Sequence, residues 1–409
     1  MESHNRLFDR IVSAASVIAK VARHTPLLES ISLRDRLDPA CKSLWFKPEN
    51  LQRAGSFKIR GAYYRLSLLS NIERTRGVVA ASAGNHAQGV ALAARLFDIP
   101  SVVFMPETAS IAKIKATEGY GARVELVGQD FDQAMAACLR YVDESNAVYI
   151  SPYDDEAIIA GQGTIGLEII DDLPNVDTVV IPIGGGGLFS GTAAALKERK
   201  PSIRVIGVQA DGADNAVKSF RAGRLLERME PVHTICDGIA VKSPSDRTFE
   251  YIRRYADDVV AVSDADIAQS MSLLLEHCKL VVEPSGAAGL AALMAGKANS
   301  SGHTLVVIGG GNIDSLRLAD IAQREQLRAG RYIHLFTAVA DYPGALVRLL
   351  TIVASERGNV VNVNHNRLNP RIGLGMTGVE LLIEVRDREH GASIIEEITA
   401  KGYRVERFE

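Results

Sequence analysis

Short runs of consecutive apolar residues alternate along this chain with longer stretches in which apolar positions recur every three or four residues. The short runs, at 78–82, 101–106, 123–128, 147–151, 178–183, 204–210, 258–262 and 304–308, are rich in Val and Ile and predict strands. Several, such as Thr178-Val-Val-Ile-Pro-Ile and Thr304-Leu-Val-Val-Ile, are apolar on successive rather than alternate positions, as parallel strands covered by helices on both faces require. The rhythm is βαβ, and it predicts an α/β body. After Gly330 the pattern becomes strand 332–340, helix 343–357, strand 359–366, strand 377–386, helix 389–401 and strand 403–408, a βαββαβ unit. The charged stretch Gln323-Arg-Glu-Gln-Leu-Arg-Ala-Gly-Arg before it predicts an exposed helix end and a linker.

At 409 residues the chain has room for two or three domains, and 47% hydrophobic with 23% charged residues supports a sizeable core. Its 46 Lys+Arg and 49 Asp+Glu nearly cancel, leaving no basic excess for a phosphate backbone, so nucleic acid is not expected as a partner. The cysteines at 41, 138, 236 and 278 show no C-x-x-C spacing, which speaks against a zinc site or a disulfide framework and for buried thiols in a reducing compartment. Charges at Arg6, Asp9, Arg10, Lys20 and Arg23 interrupt the N-terminal segment, and no later run reaches membrane-spanning length. A cytoplasmic protein without membrane association is the expectation.

Two features carry chemistry. Gly184-Gly-Gly-Gly-Leu188 follows a strand and runs into a helical pattern, so its amides stand at a helix N-terminus, where they can cradle a phosphate. One glycine would suffice for a tight turn. By contrast, Gly161-Gln-Gly163-Thr-Ile-Gly166 has dinucleotide-fingerprint spacing but follows the acidic Asp154-Asp-Glu rather than a strand, and carries no weight as a nicotinamide site. Lys58 lies just past a Gly-Ser turn, at the predicted first turn of a helix. The positive potential there lowers an ammonium's pKa and favours a nucleophilic amine, although most lysines are solvated surface groups.

Ser56-Phe-Lys-Ile-Arg-Gly-Ala62, Ser82-Ala-Gly-Asn-His-Ala-Gln-Gly89, the 184–187 glycine loop, Asp237-Gly-Ile-Ala-Val241 and Glu283-Pro-Ser-Gly-Ala287 occur in that order. Together they resemble the pyridoxal 5'-phosphate (PLP) enzymes of the tryptophan synthase β class and, within it, the threonine dehydratases. The resemblance spans residues 25–320. The tail, with Asp341-Tyr-Pro-Gly-Ala-Leu346 and Gly358-Asn-Val-Val361, resembles an ACT domain. It implies a fold type II catalytic region over 1–328, with a small lobe 52–152 inserted in a large lobe of 1–51 and 153–322, followed by an ACT-like regulatory domain over 329–409.

The resemblance implies Lys58 as Schiff-base lysine and catalytic base, with Phe57 packed on the ring. It implies Asn85 at the cofactor's phenolic oxygen, Gly184, Gly185, Gly186, Gly187 and Leu188 at its phosphate, and Gly238, Glu283 and Gly309 among the residues around it. Ser82, Ala83, Gly84, Asn85 and His86 would bind the substrate carboxylate through amides and the Ser82 hydroxyl, with the His86 ring itself structural. The reaction implied is loss of the β-hydroxyl from threonine, aided by an acid that is the cofactor phosphate or Glu283, giving 2-oxobutanoate and ammonia, with serine as a second substrate. No metal is called for. A small amino-acid substrate, a homodimer or homotetramer and an amino-acid effector at the tail are the implied partners.

Rival readings are another hydroxy-amino-acid dehydratase, a β-replacement enzyme, a serine racemase-like enzyme, a non-catalytic amino-acid sensor and a nicotinamide oxidoreductase. Ala83 counts against the racemase, whose second base is a serine at that place; Lys58 counts against the sensor. One departure stands out: relatives usually read Ser-Gly-Gly-Asn after strand 304–308, where the serine hydroxyl meets the cofactor's ring nitrogen, whereas this chain reads Gly309-Gly-Gly-Asn312.

Overall fold

The computed structural model describes residues 2–367 and 372–408. In chain order the elements begin with α1 (Glu2–Ile18), β1 (Leu28–Glu29), α2 (Ile31–Arg34), β2 (Cys41–Pro48), α3 (Lys58–Ser67) and α4 (Asn71–Arg76). There follow β3 (Val78–Ala81), α5 (Asn85–Leu96), β4 (Ser101–Met105), α6 (Ile111–Gly119), β5 (Arg123–Leu126), α7 (Phe131–Ser145), β6 (Val148–Tyr149) and α8 (Glu156–Asp172). Next come β7 (Thr178–Pro182), α9 (Gly187–Arg199), β8 (Arg204–Ala210), α10 (Asn215–Ala222), α11 (Asp246–Tyr255), β9 (Asp258–Val262), α12 (Asp264–Leu273), α13 (Pro284–Met294) and β10 (Gly302–Ile308). The chain closes with α14 (Ser315–Arg328), β11 (Tyr332–Ala340), α15 (Ala345–Ser355), β12 (Asn359–Asn366), β13 (Met376–Glu384), α16 (Arg388–Ala400) and β14 (Val405–Arg407).

Contacts divide the chain into two compact units, Met1–Asp314 and Ser315–Glu409. Helix α14 packs on β11 and groups by its contacts with the second unit.

The first unit holds two sheets. One has the order β1-β2-β10-β7-β8-β9, parallel except for β1 against β2; the other has the order β5-β4-β3-β6 and is parallel throughout. Strands β3, β4 and β7 are buried at every position, the consequence of helices covering both faces. Strand β2 escapes the sequence pattern because Lys42, Ser43 and Lys47 break its apolar run. Lys47 is nonetheless fully buried: its ammonium meets Glu168 at 2.6 Å and the Thr25 carbonyl at 2.7 Å. Cys41, Cys138 and Cys236 are buried thiols, as expected, but Cys278 is only half-buried.

The Gly161–Gly166 spacing is a packing device. These glycines lie mid-way along α8, where a Cβ on Gly161 would sit 2.6 Å from Gly61 Cα of α3 and one on Gly163 would sit 2.8 Å from the Gly191 carbonyl of α9. Helix α8 thus presses its backbone against the two helices whose first turns carry Lys58 and the glycine loop.

In the second unit an antiparallel sheet of order β12-β13-β11-β14 buries one face under α15 and α16, and the strict in-out alternation of β11 reflects that single covered face. Among the described residues no helix is long and apolar enough to cross a membrane.

Candidate active site

The lysine is held by an unusual approach to its helix. Ala54 and Gly55 both take positive φ, at 57° and 68°, and turn the chain sharply before Ser56 and Phe57. This segment is stitched to the turn after β10: Phe57 N–H donates to Gly309 O at 3.1 Å, Gly311 N–H to Gly55 O at 3.0 Å, and Ser56 bridges Gly310. Asn312 Nδ2 adds a 2.7 Å bond to the Ala54 carbonyl. Lys58 opens α3, its Nζ 5.2 Å from the Phe57 ring centroid and donating at 2.7 Å to the Pro152 carbonyl. Burial lowers its pKa to about 8, with Glu283 pulling the other way. The largest cause is therefore burial rather than the helix terminus that its sequence position suggests.

The glycine loop opens α9. The first helical bond there is from Ser190 N–H to Gly186 O at 2.8 Å, so the amides of Gly187, Leu188 and Phe189 are the donors that no helical carbonyl can take. Gly186 needs its positive φ of 94°. The other glycines answer to neighbours: a Cβ on Gly185 would lie 2.2 Å from the Tyr153 ring, one on Gly187 3.0 Å from Tyr153 Cα, and one on Gly184 3.1 Å from Gly238 O. Close packing accounts for the number of glycines, and the capacity to bind an anion rests on the uncapped amides instead.

A second set of uncapped amides opens α5. There the first helical bond runs from Gln88 N–H to Gly84 O, leaving Asn85, His86 and Ala87 as donors. Ser82 Oγ accepts from Gly84 N–H at 3.2 Å, which leaves its own hydroxyl proton to give. Ala83 is partly buried beside it, and a Cβ on Gly84 would meet no atom within 4 Å. The His86 ring is buried, with Nε2 2.8 Å from Ile150 O; burial and the Lys58 charge push its pKa down to about 3, so the imidazole is neutral and donates to that carbonyl.

Glu283 caps α13, and its backbone N–H donates to Gly310 O at 3.1 Å. Its Oε1 accepts from Asn85 Nδ2 at 2.7 Å, and the Oδ1 of Asn85 accepts from Asn312 Nδ2 at 2.8 Å. Burial raises the Glu283 pKa to about 7, against the Asn85 bond and the charges of Lys113 and Lys58, while Asp237 adds to the rise. A Cβ on Gly238 would lie 2.8 Å from Ser285 Oγ and 3.6 Å from Glu283 Oε1. A Cβ on Gly309 would lie 3.5 Å from the Phe57 ring and 3.8 Å from Leu188 Cδ2.

Phe57, Lys58, Asn85, Gly238, Glu283, Gly309 and the 184–188 loop are linked by these contacts, whereas Ser82, Ala83 and Gly84 join them only through the turn that leads into Asn85. Pro152, Tyr153 and Asn312 were missed. Asn312 lies in a motif that the sequence displays, whereas nothing near Pro152 or Tyr153 signals a role. Among the described residues no group of three or more His, Cys, Asp or Glu is arranged to hold a metal. A phosphorylated, carbonyl-bearing cofactor fits the donor set: uncapped amides for its phosphate and a partly neutral amine, beside the Phe57 ring, for its carbonyl.

The sequence matches the family described as pyridoxal-phosphate dependent enzyme over residues 18–310. It is 48% identical over 363 residues to an L-threonine ammonia-lyase of Thermotoga maritima, covering 88% of this chain and 90% of that one. It is 42% identical over 397 residues to an L-threonine ammonia-lyase of Geobacter sulfurreducens, covering 97% and 98% of the two chains. The fold is similar to that of maize serine racemase, with a TM-score of 0.73 and 36% identity over 78% of this chain and 98% of that one.

Proposed function

The chain belongs to the family of pyridoxal-phosphate dependent enzymes, and from that premise we propose that it is a threonine ammonia-lyase that converts L-threonine to 2-oxobutanoate and ammonia and also accepts L-serine. The reading is supported by the two ammonia-lyase relatives that span nearly the whole chain. The observation that carries it is Lys58, a half-buried amine with its pKa lowered to about 8, set among two helix openings with uncapped amides.

Each residue has a task that its surroundings support. The amides of Gly187, Leu188 and Phe189, with the preceding glycines, hold the phosphate; those of Asn85, His86 and Ala87, with the Ser82 hydroxyl, hold the substrate carboxylate. Both ligand groups are anions, and neither amide set introduces a compensating charge. Pyridoxal phosphate supplies an electron sink that acidifies the substrate Cα–H. Lys58 takes that proton at Nζ: with its pKa lowered by burial, a minor but usable fraction of the amine is neutral near physiological pH. Glu283 is raised to about 7 by burial, and because Oε1 already accepts from Asn85, its proton sits on Oε2. That makes it the protein group able to protonate a departing hydroxyl. Ala83 bears no titratable group, which supports elimination over racemisation despite the fold shared with a serine racemase.

Residues 1–328 form the catalytic domain in this reading, with lobes 52–152 and 1–51 plus 153–322, and 329–409 an ACT-like regulatory domain. The sheet order β12-β13-β11-β14, with α15 and α16 on one face, supports the latter, as does Gly344, which at φ 89° caps α15 right after Pro343. The protein would work as a homo-oligomer in the cytoplasm, responding to an amino acid.

The decisive test is Lys58→Ala. It should abolish the visible absorbance of lysine-linked cofactor and lower 2-oxobutanoate release from L-threonine by at least about 10²- to 10⁴-fold; near-normal turnover would end the reading.

A further inference from the structure

We propose that Asn312 is a positioning residue that fixes which end of the Asn85 carboxamide does which work. Carboxamide ends differ only in what they hydrogen-bond, so the assignment must come from a partner of unambiguous polarity. Ala54 O is such a partner, since a backbone carbonyl only accepts. Asn312 meets it at 2.7 Å, which makes the Asn312 end Nδ2. The same nitrogen lies 2.8 Å from the Asn85 side chain, which must present its oxygen. The opposite end of Asn85 is then nitrogen, and it meets Glu283 Oε1 at 2.7 Å. Polarity is thus passed from one backbone carbonyl through two side chains to the carboxyl group.

The chain of bonds has a consequence at the site. Asn85 Nδ2 carries two protons, and Glu283 takes one. The other is left to donate, because the end of Asn85 turned away from Asn312 is the nitrogen, which only donates. The positive-φ turn at Ala54 and Gly55 presents the carbonyl that starts the relay, and a Cβ on Gly55 would overlap the Asn312 carboxamide and displace it. The turn that brings Lys58 into place and the side chain that orients Asn85 are therefore one construction.

This inference rests on the proposed cofactor site, in which the second Asn85 proton goes to the cofactor's ring oxygen. Asn312→Asp removes both donors and faces Asn85 Oδ1 with an acceptor, so the Asn85 carboxamide turns over and withdraws its N–H. Loss of that donor raises the proton affinity of an oxygen that it held as an anion. Loaded with pyridoxal phosphate, Asn312→Asp should titrate its visible band with a midpoint at least ~0.5 pH unit above wild type, and its kcat on L-threonine should fall about 10-fold or more, with KM within ~3-fold. Asn312→Ala, which adds no charge, should shift both in the same direction by less, and it serves if the Asp variant does not fold. The melting temperature of the cofactor-free proteins is measured alongside. A band midpoint unmoved in a folded variant, or a loss of kcat that merely follows lowered melting temperature, overturns the role of Asn312. Absence of any visible band in wild type would overturn the cofactor site instead.

Discussion

Position 309 offers a sharp test of how the site works, because the family's usual residue can be put back. Replacing Gly309 with serine adds a Cβ whose nearest neighbours would be Phe57 Cδ1 at 3.5 Å, Phe57 Cε1 at 3.6 Å and Leu188 Cδ2 at 3.8 Å, all ordinary van der Waals contacts. Nothing has to move. The substitution also restricts the unfolded chain, worth about 0.4–1 kcal/mol in favour of folding, against a similar cost for a hydroxyl without a protein partner in the cofactor-free state. The two nearly cancel, so the cofactor-free variant should melt within about 3 °C of wild type.

With pyridoxal phosphate bound, the serine hydroxyl would meet the ring nitrogen directly. In the natural protein we expect a water or another side chain to do so, since an unpaired buried acceptor costs about 1–3 kcal/mol and a bridging water is nearly as good as a direct bond. The gain from the hydroxyl is then no more than the ordering cost of that water, at most about 2 kcal/mol, so cofactor binding should tighten by no more than about 30-fold. Turnover should change little, because in an elimination the leaving group accepts the electrons. Cofactor titrations and 2-oxobutanoate release by both proteins decide the matter. If only Gly309→Ser binds the cofactor stoichiometrically or turns over threonine, wild type is not a working ammonia-lyase and the sensor reading takes its place.

Three further outcomes are expected. Wild type given L-serine in D₂O should release pyruvate far faster than it forms D-serine, and Ala83→Ser should introduce D-isomer; equal rates in wild type would refute the one-base reading. In the cofactor-free protein Glu283 is raised from 4.5 to about 7 and Lys58 lowered from 10.5 to about 8. Between pH 4.5 and 7 the unfolded chain has released a proton that folded Glu283 keeps, so stability falls as pH rises; between 8 and 10.5 the unfolded chain holds a proton that folded Lys58 has lost, so stability rises. Melting temperatures relative to Glu283→Gln in the first window and Lys58→Met in the second should show these slopes, and flat differences would contradict them. Deleting residues 315–409 should abolish any response of turnover to added amino acids, whereas a response that persists would exclude the ACT-like unit as its seat.

Much of the fold was legible because burial on both faces leaves a contiguous apolar run, as in β3, β4 and β7, and burial on one face leaves alternation, as in β11. Strand β2 was not, since its Lys47 is buried by partners contributed from distant segments, Glu168 in α8 and the Thr25 carbonyl. The place of α14 was also not legible: its charged surface suggests a linker, but the helix packs on β11. In the site, residue chemistry was readable wherever glycines, a lysine and an Asn-His pair stand together. What was not readable depends on closure over long separations, with Lys58 reaching Pro152 across 94 positions and Asn312 reaching Asn85 across 227.

Helix α3 shows most directly why such closure matters, because it carries a buried and a half-buried cation two residues apart with opposite fates. Arg60 is fully buried yet meets Glu49 at 2.7 Å and Glu168 at 2.6 Å, and against the cost of burial these carboxylates hold its pKa up. Against the same cost, Arg60 and Lys47 hold Glu168 down. Arg60 and Glu168 thus favour their charged forms, and removing one partner would leave an uncompensated buried charge. Lys58, two residues earlier, donates to a carbonyl, and the carboxyl whose charge acts on it, Glu283, accepts from an amide. Burial without a direct ionic partner drives the amine down and the carboxyl up until both titrate near neutrality, which is where a proton acceptor and a proton donor for a single elimination have to lie. The ion-paired network anchors the helix, and the unpaired groups on and beside it keep the freedom to exchange protons.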